Sequence, residues 1–203
     1  MAITTYSELV TALGAWTNTR SDLTALWPDF IALFEARMNR LIRVPEMEAE
    51  STSTTTEETL ALPTDFLAIR EVRVDGEAVP SMNPQALRQL YLESTASSPL
   101  GYTIVGTNLL FQPAPSSSIE VGITYFQKIP ALTSTNTTNW LLDKYPDIYL
   151  YGTLCTAQAY LRDDERLAVW KGAWDEALGE LERAGIKARL PSTPLVMRPG
   201  VYE

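Results

Sequence analysis

The side chains of this 203-residue chain that could act as nucleophiles are one cysteine, the serines and the threonines. A nucleophile needs a neighbouring base to take its proton, and histidine, the usual base near neutral pH, is absent. No lysine follows a serine at Ser-x-x-Lys spacing. Cys155 stands among small and apolar residues, which predicts a buried, unreactive thiol. The sequence therefore argues against nucleophilic catalysis.

Paired carboxylates are the other groups that could do chemistry, since two acids that converge in a cleft can hydrolyse glycosidic bonds. Glu57-Glu58 and 163–165 (Asp-Asp-Glu) are such runs. A solvated strand end and a helix cap account for them more simply. The chain also lacks a Gly-rich phosphate loop, a dinucleotide fingerprint and a calcium-loop spacing. We expect no catalytic residue, no metal site and no cofactor.

The charge balance limits the partners. With 25 acidic and 16 basic residues, the formal net charge is −9, which disfavours nonspecific binding to DNA or to anionic lipid. A single cysteine excludes an intramolecular disulfide and a zinc site built from cysteines. No apolar run approaches the roughly 20 residues that span a bilayer, and the first residues lack the basic flank of a signal peptide. We expect a soluble protein in a reducing compartment, without a membrane partner.

Helical periodicity is found at both ends of the chain. Residues 1–45 contain a short helix around Leu9–Leu13 and a long amphipathic helix from about Pro28, which suits a first turn, to Arg43. Three arginines collect at the far end of the second helix, where they complement the helix dipole. They form either a solvated face or a contact with an acidic neighbour or with phosphate. These residues are Arg37, Arg40 and Arg43.

The residue pattern of 46–139 predicts antiparallel β-structure. Ser51–Thr56 is a run of hydroxyl residues that predicts an exposed strand or flap. Asp75-Gly76 between apolar runs predicts a hairpin, and Gly106–Asn108 predicts a second one. Residues 119–127 alternate apolar with polar side chains, as a half-buried strand does. A short helix is expected near 84–93.

The helical pattern returns over 140–185, which predicts a hairpin of two helices that completes a bundle with the N-terminal helices. One helix opens at Pro146 and carries small residues on one face, including Gly152, which permits close helix approach; the other ends near Gly185. Residues 186–203 contain three prolines, so we expect an extended tail that cannot fold alone. Because it carries many apolar side chains, we expect it to dock on its own subunit or on a neighbour. The predicted class is α+β: a helical bundle with an inserted β-rich lobe and an extended docking tail.

Several segments, in this order and spacing, resemble the head-to-tail adaptor (connector) proteins of tailed bacteriophages. They include DLTALWPDFIALFEARMNRLIR at 22–43, LPTDF at 62–66, YTIVG at 102–106 and FQPAP at 111–115. The likeness continues through 125–132, NWLL at 139–142, YPDIYLYG at 145–152 and LRDDERL at 161–167. It covers roughly residues 5–182.

The resemblance implies a structural virion protein without catalytic residues. Such adaptors form a homo-oligomeric ring, commonly a dodecamer, that binds below the portal, presents a platform to a downstream tail or stopper protein, and lets double-stranded DNA pass without specific binding. The implied location is the virion neck, after assembly in the host cytoplasm. The alternatives are a tail-completion or stopper ring protein and, from another class, a virion-associated carboxylate hydrolase.

The expected portal or subunit interface has two parts. One is the arginine set on the long helix, and the other is the apolar part of the tail. The residues are Arg37, Arg40, Arg43, Leu190, Leu195, Val196, Met197, Val201 and Tyr202.

Overall fold

The computed structural model describes residues 3–18, 21–93, 98–157, 160 and 166–189. The chain divides into two compact units, each described by itself below. The helical unit comprises Met1–Glu46 and Ile129–Glu203, and the β unit comprises Met47–Lys128. Helices and antiparallel sheets coexist in one chain, so the predicted α+β class is confirmed. Among the described helices, none has the length and apolar content to cross a bilayer.

The described helical unit contains five α-helices in two groups, one from each end of the chain. The N-terminal group is α1 (Tyr6–Trp16) and α2 (Trp27–Leu41). The C-terminal group is α4 (Trp140–Lys144), α5 (Pro146–Thr156) and α6 (Leu167–Arg189). Single turns of 3₁₀ helix occupy Ser21–Leu23 and Pro45–Met47.

Local sequence signals fix both ends of α1 and the start of α2. Thr5 and Glu8 form a capping box at the first turn of α1. The helix ends where the Thr17 hydroxyl donates to the Leu13 carbonyl at 2.9 Å. Pro28 lies in the first turn of α2, where its missing N–H leaves no bond unmade. The long helix predicted from about Pro28 is therefore confirmed.

Gly152 lets three helices of the unit approach one another. A Cβ at this position would collide with the ring of Phe34 on α2 and lie 3.0 Å from Nε1 of Trp174 on α6. The Phe34 ring in turn lies edge-on to Tyr149, with centroids 5.0 Å apart. The small face predicted for this helix therefore serves close packing at Gly152.

The last helix is longer than the sequence predicted. It continues past Gly185 through Ile186 and ends at Arg189, so an extended tail from residue 186 is wrong for this turn. Gly185 is buried, and a Cβ added there would lie 3.1 Å from Val44 Cγ1. This glycine therefore serves close packing and does not terminate the helix. Residues 190–203 lie outside the described part.

The segment 129–139, expected within the β-rich lobe, belongs to the helical unit. Its backbone is held by side chains of α2: Ile129 N–H donates to Asn39 Oδ1 at 2.9 Å, and Leu132 N–H donates to Glu35 Oε1 at 2.8 Å. Tyr6 N–H, at the start of α1, donates to the Thr137 carbonyl at 2.8 Å. These bonds join the two chain segments that form the unit.

The β unit contains two antiparallel sheets and helix α3 (Pro84–Glu93). The strands are β1 (Glu48–Thr55), β2 (Thr59–Ala61), β3 (Phe66–Val74), β4 (Glu77–Ala78), β5 (Gly101–Val105), β6 (Asn108–Gln112) and β7 (Ile119–Gln127). The first sheet has the order β1-β7-β3-β4 and the second the order β2-β6-β5.

Apolar side chains of both sheets form one core. Val121 and Ile123 of β7, Val72 of β3, and Leu109 and Phe111 of β6 are all buried in the same cluster. Along β6 and along β7 up to Tyr125, these buried residues alternate with more exposed ones, which is the alternation the sequence predicted for 119–127.

The structure shows the conformation of the two predicted hairpins and of the Thr-rich run. Asp75 and Gly76 both have positive φ, 49° and 86°, and connect β3 to β4 in a two-residue turn, as the Asp-Gly pair predicted. Gly106 has φ 63° in the turn between β5 and β6. The Thr-rich run is a strand: β1 pairs with β7 without interruption from Glu48 to Thr55. Of the two predictions for it, the exposed strand is correct.

Candidate interaction surfaces

The arginines at the end of α2 occupy three different environments. Arg37 is exposed, and its guanidinium carbon lies 4.3 Å from the ring centroid of Trp174. Trp174 itself is buried, so Arg37 covers the edge of the helical core while its charge remains in water. Part of its role is therefore packing within its own chain.

Arg43 closes the C-terminus of α2. Its Nη1 donates to the Asn39 carbonyl at 2.8 Å, one of the carbonyls that a helix end leaves without an intrahelical partner. The Arg43 carbonyl in turn accepts a bond of 2.9 Å from Arg189 Nη2 at the end of α6. Arg40, one turn before Arg43, is exposed, and within the described residues no hydrogen bond or ion pair holds it. We call Arg40, Arg43 and Arg189 the basic edge.

The basic edge contrasts with the preceding part of α6. Between Lys171 and Arg183 the charged side chains of this helix are all acidic and exposed. They are Asp175, Glu176, Glu180 and Glu182. The charge of α6 thus changes along the helix, from the acidic stretch to Arg189 of the basic edge.

The apolar tail residues expected at the interface lie outside the described residues. They are Leu190, Leu195, Val196, Met197, Val201 and Tyr202.

The groups that could do chemistry are placed as follows. Cys155 on α5 is partly buried, and burial raises the pKa of its thiol, against the opposing charges of Arg37 and Lys171. It is therefore a neutral thiol at pH 7. Glu57 and Glu58 are exposed in the bend that follows β1, at a strand end as predicted. Residues 163–165 lie outside the described part.

Sequence reasoning missed one buried acid, Glu35 on α2. Its side chain is 5% exposed, and its Oε1 accepts bonds from Leu132 N–H at 2.8 Å and from the Tyr149 hydroxyl at 2.9 Å. The Tyr149 oxygen accepts a bond of 2.6 Å from Asn139 Nδ2, which also donates to the Pro130 carbonyl at 2.7 Å. This buried cluster fastens the segment 129–139 to α2 and α5.

Burial dominates the electrostatics of this cluster. Loss of water raises the pKa of Glu35 from 4.5, although the bonds from Leu132 and Tyr149 oppose the shift. The pKa of Tyr149 is raised far above its usual value by burial and by the nearby charge of Glu35. Tyr149 therefore remains a hydrogen-bond donor at every physiological pH. Glu35, Asn139 and Tyr149 are all buried, and their bonds hold segments of the helical unit together.

The family model described as SU10 adaptor protein matches residues 4–198. This match spans both units and nearly the whole chain. The chain belongs to the SU10 adaptor protein family. Members of this family are phage head-to-tail adaptors, which are structural proteins and not a class of enzyme. No curated protein matches the chain at a significant level.

Family membership changes how the surfaces of this adaptor are interpreted. The resemblance noted over residues 5–182 is confirmed, and the matched region extends beyond it into the tail. An adaptor works by contacting other proteins, so its exposed edges and charged side chains are the groups of interest. Among the described residues, candidate surfaces for such contacts include the basic edge, the acidic stretch of α6 and exposed strands of the β unit.

Proposed function

We propose that this adaptor assembles into a homo-oligomeric ring, a dodecamer, that binds below the portal in the virion neck. The ring presents a platform to the downstream tail or stopper protein and leaves a channel for double-stranded DNA. The observation that carries the proposal is the family match over residues 4–198. It assigns the adaptor role to the whole two-unit chain.

The basic edge contacts an acidic neighbour in this proposal. The chain as a whole is acidic, at −9, so a second copy offers acidic partners for Arg40 and Arg43. Arg40 suits this role best, because it is exposed and unpaired within the described residues, whereas Arg43 already closes α2. Arg37 contributes less to this contact, because its side chain packs on Trp174 of its own chain.

The acidic stretch of α6 faces the DNA channel in this proposal. DNA must slide through the ring, and each phosphate contact would add salt-dependent retention. Exposed carboxylates such as Glu176 and Glu180 repel phosphates and so keep the passage free. A map of the neck with α6 away from the channel would contradict this assignment.

The tail, with its apolar residues from Leu190 to Tyr202, docks on the portal or on a neighbouring subunit. Deletion of 190–203 should leave the helical unit folded, as judged by tryptophan fluorescence, and abolish portal binding in co-sedimentation. Undiminished co-sedimentation of the truncated chain would exclude the tail from docking.

Electron microscopy of the assembled neck tests the ring itself. The expected result is one ring of this chain in direct contact with the portal. A ring that contacts another adaptor instead of the portal would make this chain the stopper.

The role of Arg40 is tested by Arg40→Glu in the association of subunits with one another, measured by analytical ultracentrifugation. We expect binding weakened by about tenfold, because a favourable charge pair becomes a repulsive one. Arg88→Glu on α3 is the matched control, since Arg88 is also exposed and the charge change is the same. Equal loss in both variants would assign the effect to net charge instead of to the basic edge.

A further inference from the structure

The outer edge of strand β1 is an unprotected site for strand addition. Within the described part of the chain, β1 is the outermost strand of its sheet, and it pairs with β7 along all eight of its residues. Alternate N–H and C=O groups of an edge strand point away from the sheet and can pair with another extended chain. Thr52 and Thr54 are exposed, so the strand is accessible to solvent.

The composition of β1 lacks the features that usually protect an edge. Such strands carry a lysine, a proline or a bulge, or are very short. β1 has an unbroken register, and its stretch from Ser51 to Thr55 contains only serine and threonine. Threonine is also among the residues best suited to strands. By contrast, β4 at the other edge of the same sheet has only two residues.

Charge at the two ends of β1 indicates what the edge accepts. Glu50 lies near its start, and Glu57 and Glu58 follow its end; all three are exposed. No ion pair is formed by these three carboxylates within the described residues. An added strand therefore meets a neutral centre between two negative ends, and a lysine or arginine at each end of that strand would be favourable.

Two other occupants fit this pattern poorly. A second copy that paired its own β1 antiparallel over the whole strand would place Glu50 of one copy opposite Ser53 of the other, and Glu48 opposite Thr55. The acidic start of each strand would then lie beside the acidic end of the other, Glu57 and Glu58, and like charges brought close together are destabilising. The chain's own tail has prolines at positions 191, 194 and 199. In any pairing that includes both Pro194 and Pro199, which are an odd number of residues apart, one of them faces β1 without an N–H to donate.

We propose that β1 accepts an extended segment of a different protein, uncharged in its centre and basic at both ends, as an added antiparallel or parallel strand. This surface shares no residue with the basic edge or with 190–203. It requires neither the ring nor the portal contact proposed above. Main-chain hydrogen bonds supply the affinity, and the terminal charges supply the selectivity.

A labelled peptide, KKTVTVTVTVKK, tests the proposal on the full-length chain by fluorescence anisotropy. We expect saturable binding at least about tenfold tighter than that of the matched peptide EETVTVTVTVEE, because the latter places carboxylates against Glu50 and Glu57. Absence of binding, or equal binding of the two peptides, would overturn the proposal.

Proline substitutions locate the binding edge. Successive N–H groups point to opposite sides of a strand, so one of Ser53→Pro and Thr54→Pro removes a bond to β7 and the other removes a group on the free edge. We expect one variant to fold and lose peptide binding by about tenfold or more, and the other to lose stability. Two folded variants that both bind normally would contradict strand addition.

Hydrogen exchange on the wild-type chain gives a readout that does not depend on the variants' folding. Alternate amides of β1 should exchange rapidly alone and slowly with the lysine-ended peptide. Protection that grows with protein concentration in the absence of peptide would identify a second copy as the occupant. Protection lost on deletion of 190–203 would identify the tail, and either result would overturn the proposal of a foreign strand.

Discussion

The two units of this adaptor bury different kinds of groups. The β unit packs an apolar core between its two sheets from one continuous stretch of chain, residues 47–128. The helical unit is made from two separate stretches, and it buries a carboxylate, Glu35, together with Asn139 and Tyr149. The polar bonds are found where two distant chain segments must be joined. The continuous unit combines strand pairing with an apolar core, whereas the discontinuous unit adds a buried network of side-chain hydrogen bonds.

Tryptophan fluorescence separates the two units, since all five tryptophans lie in the helical unit. The largest expected effect is that of Phe111→Ala in the β unit. Phe111 is fully buried, and its loss should lower the free energy of unfolding by about 4 kcal/mol. Hydrogen exchange should accelerate across residues 47–128 while the fluorescence transition remains in place. A shift of the fluorescence transition by the same amount would show that the units unfold together.

Gly152→Ala should act on the helical unit alone. The added methyl group collides with Phe34, and overpacking of this kind costs about 3 kcal/mol. The fluorescence transition in urea should move to lower concentration. Gly172→Ala on α6 is the control, because a Cβ there meets nothing within 4 Å. The control should be stabilised by about 0.5 to 1 kcal/mol through helix propensity, and a loss in the control would contradict the packing argument.

Glu35→Ala should destabilise the helical unit by about 2 kcal/mol, since the Leu132 N–H and the Tyr149 hydroxyl lose their acceptor while buried. Hydrogen exchange at 129–139 should accelerate most. If this segment retains its protection in the variant, Glu35 does not fasten it.

Glu35→Gln separates the charge of this residue from its hydrogen bonds. Burial raises the pKa of Glu35, so the folded state holds the proton more tightly than the unfolded state. Its contribution to stability is fully present below the ordinary pKa of 4.5 and is lost as the pH rises through the folded-state pKa. Urea unfolding at several pH values should show this decline in the wild type relative to Glu35→Gln. Parallel pH profiles for the two proteins would contradict the role of the buried charge.

Arg37→Ala gives the smallest expected effect, about 0.5 kcal/mol, from loss of the contact with the Trp174 ring. Arg40→Ala is the control on the same helix, and no change in the fluorescence transition is expected. Equal effects of the two substitutions would mean that the ring contact contributes nothing beyond charge.

Short-range features of the fold were predictable, and long-range ones were not. Pro28 at a helix start, the Asp75-Gly76 turn and the alternation over 119–127 each depend on neighbours within a few residues. The pairing of β1 with β7 joins residues about 70 positions apart, and no local pattern encodes that register. The end of α6 was misplaced because Gly185 has a packing partner, Val44, that sequence alone does not show.

The candidate surfaces followed the same rule. The arginines of α2 were found because helix position and charge are local properties. Their division into a ring contact at Arg37 and a helix closure at Arg43 depends on Trp174 and on tertiary position. Glu35 was missed because an acid beside an apolar stripe is usually exposed, and only the distant Leu132 and Tyr149 make its burial tolerable.

The discontinuity of the helical unit has a consequence for synthesis on the ribosome. Helix α2 ends at Leu41, but its partner α5 begins only at Pro146, so the apolar stripe of α2 emerges long before the surface that covers it. At translation speeds of about 5 to 20 residues per second, the nascent stripe waits for several seconds. The β unit completes its sheets during that interval, and chaperones have their longest opportunity to bind this adaptor through the uncovered face of α2.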